Sequence, residues 1–93
     1  MGLGATYANL GEVYRLKTDY PEALKYFLLS LRIDEALQYE IGIAYAYNYL
    51  GATYQELGDY TKALENYQAA LEIRLRLGLD AGIAAGYNNI GTI

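Results

Sequence analysis

The chain has 93 residues, of which 54% are hydrophobic and 19% are charged, and its formal net charge is −4. This composition is too apolar for intrinsic disorder, and the absence of cysteine and histidine excludes disulfides, thiolate catalysis and the common zinc sites. Basic and acidic residues are mixed along the chain, so there is no basic stripe for nucleic acid, and polar residues interrupt every apolar run before it reaches the length of a membrane span.

The spacing of apolar residues predicts a series of helices. The first covers about residues 3–17 and has Leu3, Tyr7, Leu10 and Tyr14 on one face, because these residues follow each other at intervals of three or four. The second covers about residues 20–37, with an apolar stripe formed by Ala23, Leu24, Phe27, Leu31 and Leu37. The same pattern predicts further helices over about residues 41–57, 60–77 and 81–92.

The turns between these helices have recognisable end signals. Gly58 suits the left-handed position after a helix, and Asp59 suits the N-cap of the next helix. Thr18 stands where Gly58 stands in the later turn, so we expect the first turn to have a different geometry, because a β-branched residue is strained in the left-handed region. Asp19 and Glu22 have the spacing of a capping box, and Pro21 falls in the first helical turn.

The sequence repeats itself at an interval of 40 residues. The recurring residues lie at corresponding points of the predicted helices and turns, which indicates one helix–turn–helix unit used twice and then begun again. They include Tyr7, Tyr47 and Tyr87; Gly11, Gly51 and Gly91; Tyr14 and Tyr54; Asp19-Tyr20 and Asp59-Tyr60; Ala23-Leu24 and Ala63-Leu64; and Gly42-Ile43-Ala44 and Gly82-Ile83-Ala84.

These residues resemble the tetratricopeptide repeat, whose pattern is W-x2-L-G-x2-Y followed by A-x3-F. The first unit reads Tyr7-x2-Leu10-Gly11-x2-Tyr14 and Ala23-x3-Phe27, the second reads Tyr47-x2-Leu50-Gly51-x2-Tyr54 and Ala63-x3-Tyr67, and the third begins with Tyr87-x2-Ile90-Gly91. Tyrosine replaces the usual tryptophan. The interval of 40 residues resembles the variety of this repeat in kinesin light chains, Pins-type polarity adaptors and bacterial signalling arrays.

The resemblance implies an all-α, right-handed solenoid of antiparallel helix pairs, with small residues allowing close helix packing. Residues 1–93 would form one array, with repeat 1 over about residues 3–40, repeat 2 over about 41–80 and half of repeat 3 over about 81–93. About three units are normally needed for stability, and a polar capping helix is expected at the end of such an array. We therefore expect the chain to be a piece of a longer array.

The resemblance also implies that the first helix of each unit lines a concave groove. The candidate groove residues are Asn9, Glu12, Tyr45, Asn48, Tyr49, Asn88 and Asn89. The corresponding positions hold no lysine or arginine, which argues against a clamp for a peptide carboxylate. Asparagine amides can pair with a peptide backbone, and tyrosines add contact area. Alternatively, these asparagines are solvated or bond to neighbouring helices.

We therefore interpret the chain as a cytoplasmic scaffold for protein–protein interaction, which binds a peptide or a helix in this groove. No enzymatic activity, cofactor, metal, nucleic acid or membrane is expected. The alternative is a self-assembling array that forms a homo-oligomer. Residues 31–41 contain no helix breaker, so two arrangements are open for residues 31–47: a turn near Gln38, which packing favours, or one continuous helix that would permit domain swapping.

Overall fold

The computed structural model describes residues 2–78, which form four helices joined by short turns. They are α1 (Gly2–Leu16), α2 (Tyr20–Ala36), α3 (Glu40–Glu56) and α4 (Tyr60–Leu77). Within residues 2–78 there is no strand, and none of these helices is long and apolar enough to cross a membrane. The all-α solenoid prediction is confirmed. The fifth predicted helix, over about residues 81–92, lies outside the described residues.

Successive helices pack in pairs, and α1 also contacts α3. The core at the centre of this arrangement is formed by Ala23, Phe27 and Leu31 of α2 and by Ala46 and Leu50 of α3. Because α2 packs against both α1 and α3, it connects the two repeats. Residues of α1 and α3 are thereby brought next to each other, and some of them border a common cavity.

Close helix packing depends on two equivalent glycines. A Cβ atom at Gly11 would lie 2.7 Å from the ring of Phe27, and one at Gly51 would lie 2.7 Å from the ring of Tyr67. An ordinary contact needs about 3.4–4 Å, so a side chain at either position would push the paired helices apart. The predicted role of small residues in the helix pairs is thus confirmed at both repeats.

All three turns have the same geometry, so the expectation that the Thr18 turn differs is wrong. Thr18, Gln38 and Gly58 have φ values of +62°, +55° and +83°. After each of them the next amide bonds back to a carbonyl five residues earlier, as Tyr39 N donates to Asp34 O at 2.9 Å. This is the Schellman arrangement. Helix packing therefore imposes the left-handed conformation even where the residue is not glycine.

The turn at Gln38 separates α2 from α3, so the continuous helix over residues 31–47 does not form. At the N-termini, Asp59 accepts a bond from Lys62 N at 3.2 Å as predicted, whereas Asp19 makes no side-chain cap bond. The predicted capping box is therefore wrong. Pro21 lies in the first turn of α2 as predicted, and since proline has no N–H, it leaves one donor fewer for a cap to satisfy.

Two predicted apolar stripes are less buried than expected. Leu37 is 59% exposed because α2 ends at Ala36 and the turn directs the following residue outward. On α1, Leu3 and Leu10 are also exposed, whereas Leu50, the counterpart of Leu10, is 2% exposed. The difference arises because α2 covers this face of α3, and no helix among residues 2–78 covers the same face of α1.

Candidate functional site

An open cavity of about 420 Å³ lies between the helices of the two repeats. Its lining comes from three helices and one turn: Ala5, Ala8 and Asn9 of α1, Ser30 and Asp34 of α2, Tyr39 of the turn, and Gly42, Tyr45 and Tyr49 of α3. A volume of this size lies in the usual range of ligand sites, about 300–1,000 Å³. The cavity is therefore the main candidate site in the described part of the chain.

The α1 wall is kept open by small side chains. Ala5 and Ala8 occupy one face of α1 and project little into the space, while Asn9 places an exposed amide beside them. An amide offers two donors and an acceptor. This wall can thus approach a polymer backbone closely and form hydrogen bonds with it.

The α3 wall consists of two tyrosines in different environments. The Tyr49 ring stacks on the buried ring of Phe27, with centroids 5.0 Å apart and planes 2° apart, so its position is fixed by the core. Tyr45 is 54% exposed, and the guanidinium of Arg74 lies 5.5 Å from its ring centroid. Tyr49 thus forms a rigid surface, and Tyr45 forms the accessible edge of the cavity.

The floor of the cavity is polar, although it lies on the core-facing stripe of α2. Ser30 and Asp34 are 2% and 3% exposed. The Ser30 hydroxyl donates to Gly4 O at 2.8 Å, which joins α1 to α2. Asp34 Oδ1 is buried and receives no hydrogen bond from the described residues. Burial raises the pKa of the Asp34 carboxyl above the ordinary aspartate value.

Two further glycines make room for this carboxylate. A Cβ atom at Gly4 of α1 or at Gly42 of α3 would collide with the Asp34 carboxyl group. Asp34 therefore lies between the backbones of α1 and α3. Its position is set by helix packing from both sides, and the sequence gives it glycine neighbours in both repeats.

The structure brings together three of the groove residues predicted from sequence, Asn9, Tyr45 and Tyr49. Glu12 does not line the cavity, and its carboxylate pairs with Arg15, whose Nε lies 2.6 Å from Glu12 Oε1. Asn48 is half-buried on α3, also outside the lining. Asn88 and Asn89 lie outside the described residues.

Sequence reasoning missed the contribution of the second helix of each pair. Ser30, Asp34 and Arg74 are buried next to or within the cavity walls, although they come from α2 and α4. A signal was present, since Ala23, Phe27, Ser30 and Asp34 follow each other at intervals of three or four. Two polar residues therefore continue a buried stripe, which is unusual without a partner or a role.

No group of three or more potential metal ligands occurs among residues 2–78. Four charged residues of α2 and α4 are exposed on the outer surface: Lys25, Lys62, Glu65 and Glu72. The cavity combines amide, aromatic and buried carboxyl groups.

Comparison with known proteins identifies the repeat. Two family models, both described as tetratricopeptide repeat, match residues 42–93 and residues 6–38. No curated protein matches the chain. The matches identify the repeat without distinguishing a variety of it, and such repeats are non-catalytic modules that generally mediate protein–protein interaction. Two matched units and their helix pairs show that this chain belongs to the tetratricopeptide repeat family.

Proposed function

We propose that the chain is a scaffold that binds an extended peptide segment of another protein in the cavity between α1 and α3. The observation that supports this most is the convergence of Asn9, Tyr45 and Tyr49 on one open cavity of about 420 Å³. The repeat pattern predicts these three residues for one groove, and all three border the same space, although Glu12 and Asn48 do not. Nothing in this proposal requires chemistry on the bound segment.

The proposed contacts follow from the groups that a peptide offers. Each peptide unit presents one N–H and one C=O, which match the donors and acceptor of the Asn9 amide. Tyr45 and Tyr49 present flat surfaces with few rotatable bonds, so ordering them costs little conformational entropy. Glu12, Asn48, Asn88 and Asn89 stay predictions for contacts further along the same groove.

The test begins with selection from a displayed library of random peptides, followed by fluorescence anisotropy with a selected peptide. Ala5→Trp should fill the cavity and weaken binding at least about tenfold, because Ala5 is exposed and lines the space. Ala36→Trp is the matched control, since Ala36 is exposed on α2 outside the lining. Tyr45→Ala should also weaken binding.

Two outcomes would contradict the proposal. The first is that no peptide is enriched on the folded chain. The second is that Ala5→Trp and Ala36→Trp have equal effects on affinity, which would place the binding surface elsewhere. Circular dichroism on each variant verifies that the helices are intact, so that a loss of affinity is not mistaken for unfolding.

A second function, self-association, is favoured by one observation. The exposed face of α1 carries several large apolar residues, among them Leu10, Val13 and Leu16, and Leu16 is 72% exposed. Such a face is suited to contact with another helix. Sedimentation velocity over a concentration series tests this function. Val13→Lys should shift the chain toward monomer, while Gln68→Lys, on the exposed surface of α4, should not. A chain that stays monomeric at the highest concentration contradicts self-association.

A further inference from the structure

We propose that the cavity selects a lysine side chain of the bound peptide, whose ammonium group lies against the Asp34 carboxylate at the cavity floor. This inference rests on the proposed peptide-binding function and adds a charge class and a register to it. The cation would be the partner that Asp34 lacks among the described residues. The long alkyl stem of lysine would lie along the alanine wall of α1.

Asp34 has a buried carboxyl group with one oxygen that accepts no hydrogen bond from the described part of the chain. It is 3% exposed, it lines the cavity, and its Oδ1 receives no hydrogen bond from residues 2–78. A buried carboxylate without compensation is costly, and the cost falls when a cation or donor is supplied. Because the charge is shared by both oxygens, a cation that reaches the cavity side of the carboxylate compensates the whole group.

The neighbours of Asp34 supply only part of this compensation, because burial raises the pKa of the carboxyl by more than the N-terminal ammonium lowers it. The nearest hydroxyl, that of Ser30, already donates its proton to Gly4 O. Gly4 and Gly42 approach the carboxylate with backbone atoms only. Arg15 pairs with Glu12 and Glu56, and Arg76 pairs with Glu40, so neither arginine compensates Asp34.

The remaining walls are suited to an ammonium group. Tyr39 and Tyr49 line the same cavity, and the negative face of an aromatic ring attracts a cation, whereas the Tyr45 ring already lies against the Arg74 guanidinium. The chain already makes this contact elsewhere, because Lys25 lies 5.5 Å from the ring centroid of Tyr26. Aromatic rings together with a buried carboxylate favour a cation and disfavour an anionic side chain.

Lysine fits this space better than arginine. The α1 and α3 backbones at Gly4 and Gly42 close the carboxylate on two sides, so a ligand can approach it only from the cavity. A compact ammonium group on a thin stem can reach such a floor, whereas the planar guanidinium requires a wide, open face. Arginine in place of lysine is therefore an informative comparison in the binding test.

The preference is confined to the first repeat. The residue at the corresponding position of the second repeat, 40 positions later, is Arg74, which is 7% exposed and lies over Tyr45. A ligand lysine would be repelled there by the like charge. The two repeats therefore differ in charge at equivalent buried positions, which fixes the register of a bound peptide along the groove.

The experiment uses two displayed libraries of random peptides that differ at one fixed position, lysine in one and leucine in the other. A selected lysine peptide is then synthesised with acetylated and amidated ends, together with versions that carry norleucine or arginine at the lysine. Norleucine retains the alkyl stem and removes the ammonium group. Affinity is measured by fluorescence anisotropy for the wild-type chain, Asp34→Asn and Glu35→Gln.

The matched control is Glu35→Gln, which removes one negative charge from the next residue of α2, where the side chain is exposed. We expect replacement of lysine by norleucine to weaken binding to the wild-type chain and to Glu35→Gln at least about tenfold. The same replacement should have almost no effect with Asp34→Asn. Arginine should bind the wild-type chain more weakly than lysine.

Three results would overturn the charge preference alone, and a fourth would overturn the groove as well. If the lysine library gives no enrichment over the leucine library, or if norleucine binds as well as lysine, the charge preference is absent. If Asp34→Asn keeps the full lysine preference, another carboxylate provides it. In these cases the peptide groove itself survives, provided that Ala5→Trp still blocks binding. If no peptide from either library binds, both the groove and its charge preference are contradicted.

Discussion

Replacement of Gly51 by alanine should destabilise the chain, although alanine is the better helix former. Gly51 lies in α3 and faces α4. A Cβ atom there would lie 2.7 Å from Cδ1 and 2.8 Å from Cε1 of Tyr67. Tyr67 is 3% exposed and its hydroxyl donates to Gln55 Oε1 at 2.9 Å, so the ring is held by its surroundings and by its hydroxyl.

The expected magnitude is the difference between two opposing effects. Replacing glycine by alanine inside a helix stabilises it by about 1 kcal/mol. Forcing additional atoms into a packed contact costs about 1–3 kcal/mol. Because both the ring and the helix backbone of Gly51 are constrained, we expect the cost to prevail, with a net loss of about 1 kcal/mol for alanine. Gly51→Leu should lose more, since its side chain extends further into the same contact.

Urea and thermal unfolding followed by circular dichroism measure this loss, and about 1 kcal/mol corresponds to roughly 4–8 °C in Tm for a domain of this size. A double-mutant cycle with Tyr67→Leu identifies the cause, because the smaller side chain should relieve part of the clash. If Gly51→Ala instead raises stability by about 1 kcal/mol, helix propensity prevails and the close α3–α4 contact is not as tight as described.

Other predictions concern turns, caps and the buried carboxyl. Thr18→Gly and Gln38→Gly should each stabilise the chain by up to about 1 kcal/mol in urea unfolding, because glycine tolerates the positive φ at both positions. Asp59→Ala should cost about 1 kcal/mol in the same assay, and Asp19→Ala should cost less, since only Asp59 accepts a cap bond. Asp34→Asn should gain stability relative to the wild-type chain as pH rises above the ordinary aspartate value of 3.8. Because the pKa of Asp34 is raised in the folded chain, the folded chain keeps the carboxyl proton at a pH where the unfolded chain has released it. The contribution of Asp34 to the free energy of unfolding therefore falls with rising pH until the raised pKa is passed. The free energies of unfolding of the wild-type chain and of Asp34→Asn are measured from about pH 3 upward. Subtracting one from the other cancels the effect of the other carboxylates. A difference that stays constant with pH would contradict the raised pKa of Asp34.

The helices and their pairing could be predicted because the repeat places apolar residues at helical spacing. The predicted spans agree with α1 to α4 within about one residue at each end. The turn at Gly58 also follows from local chemistry, since glycine is the usual residue for that conformation. Thr18 and Gln38 lack such a local signal, and their left-handed conformation results from packing between helices that are distant in sequence.

The candidate site could be predicted only in part for a related reason. Asn9, Tyr45 and Tyr49 occupy positions that the repeat pattern assigns to the groove. Asp34 and Arg74 come from the second helix of each pair, and whether such a residue reaches the cavity depends on how closely α1 and α3 approach α2. The distance between these helices depends on Gly4 and Gly42, which contact Asp34. The sequence alone does not reveal this role, because it arises only when the helices are packed together.

The most direct test of the groove is a nuclear magnetic resonance titration of the ¹⁵N-labelled chain with a selected peptide. If the peptide binds in the proposed groove, the largest amide shifts will occur at residues of the cavity walls, such as Asn9, Tyr45 and Tyr49. Amides on the exposed surface of α4, such as those of Glu65 and Glu72, should change little. If the largest shifts instead occur on α4 while those of the cavity walls stay unchanged, the chain binds its partner on another face and the proposed groove is wrong.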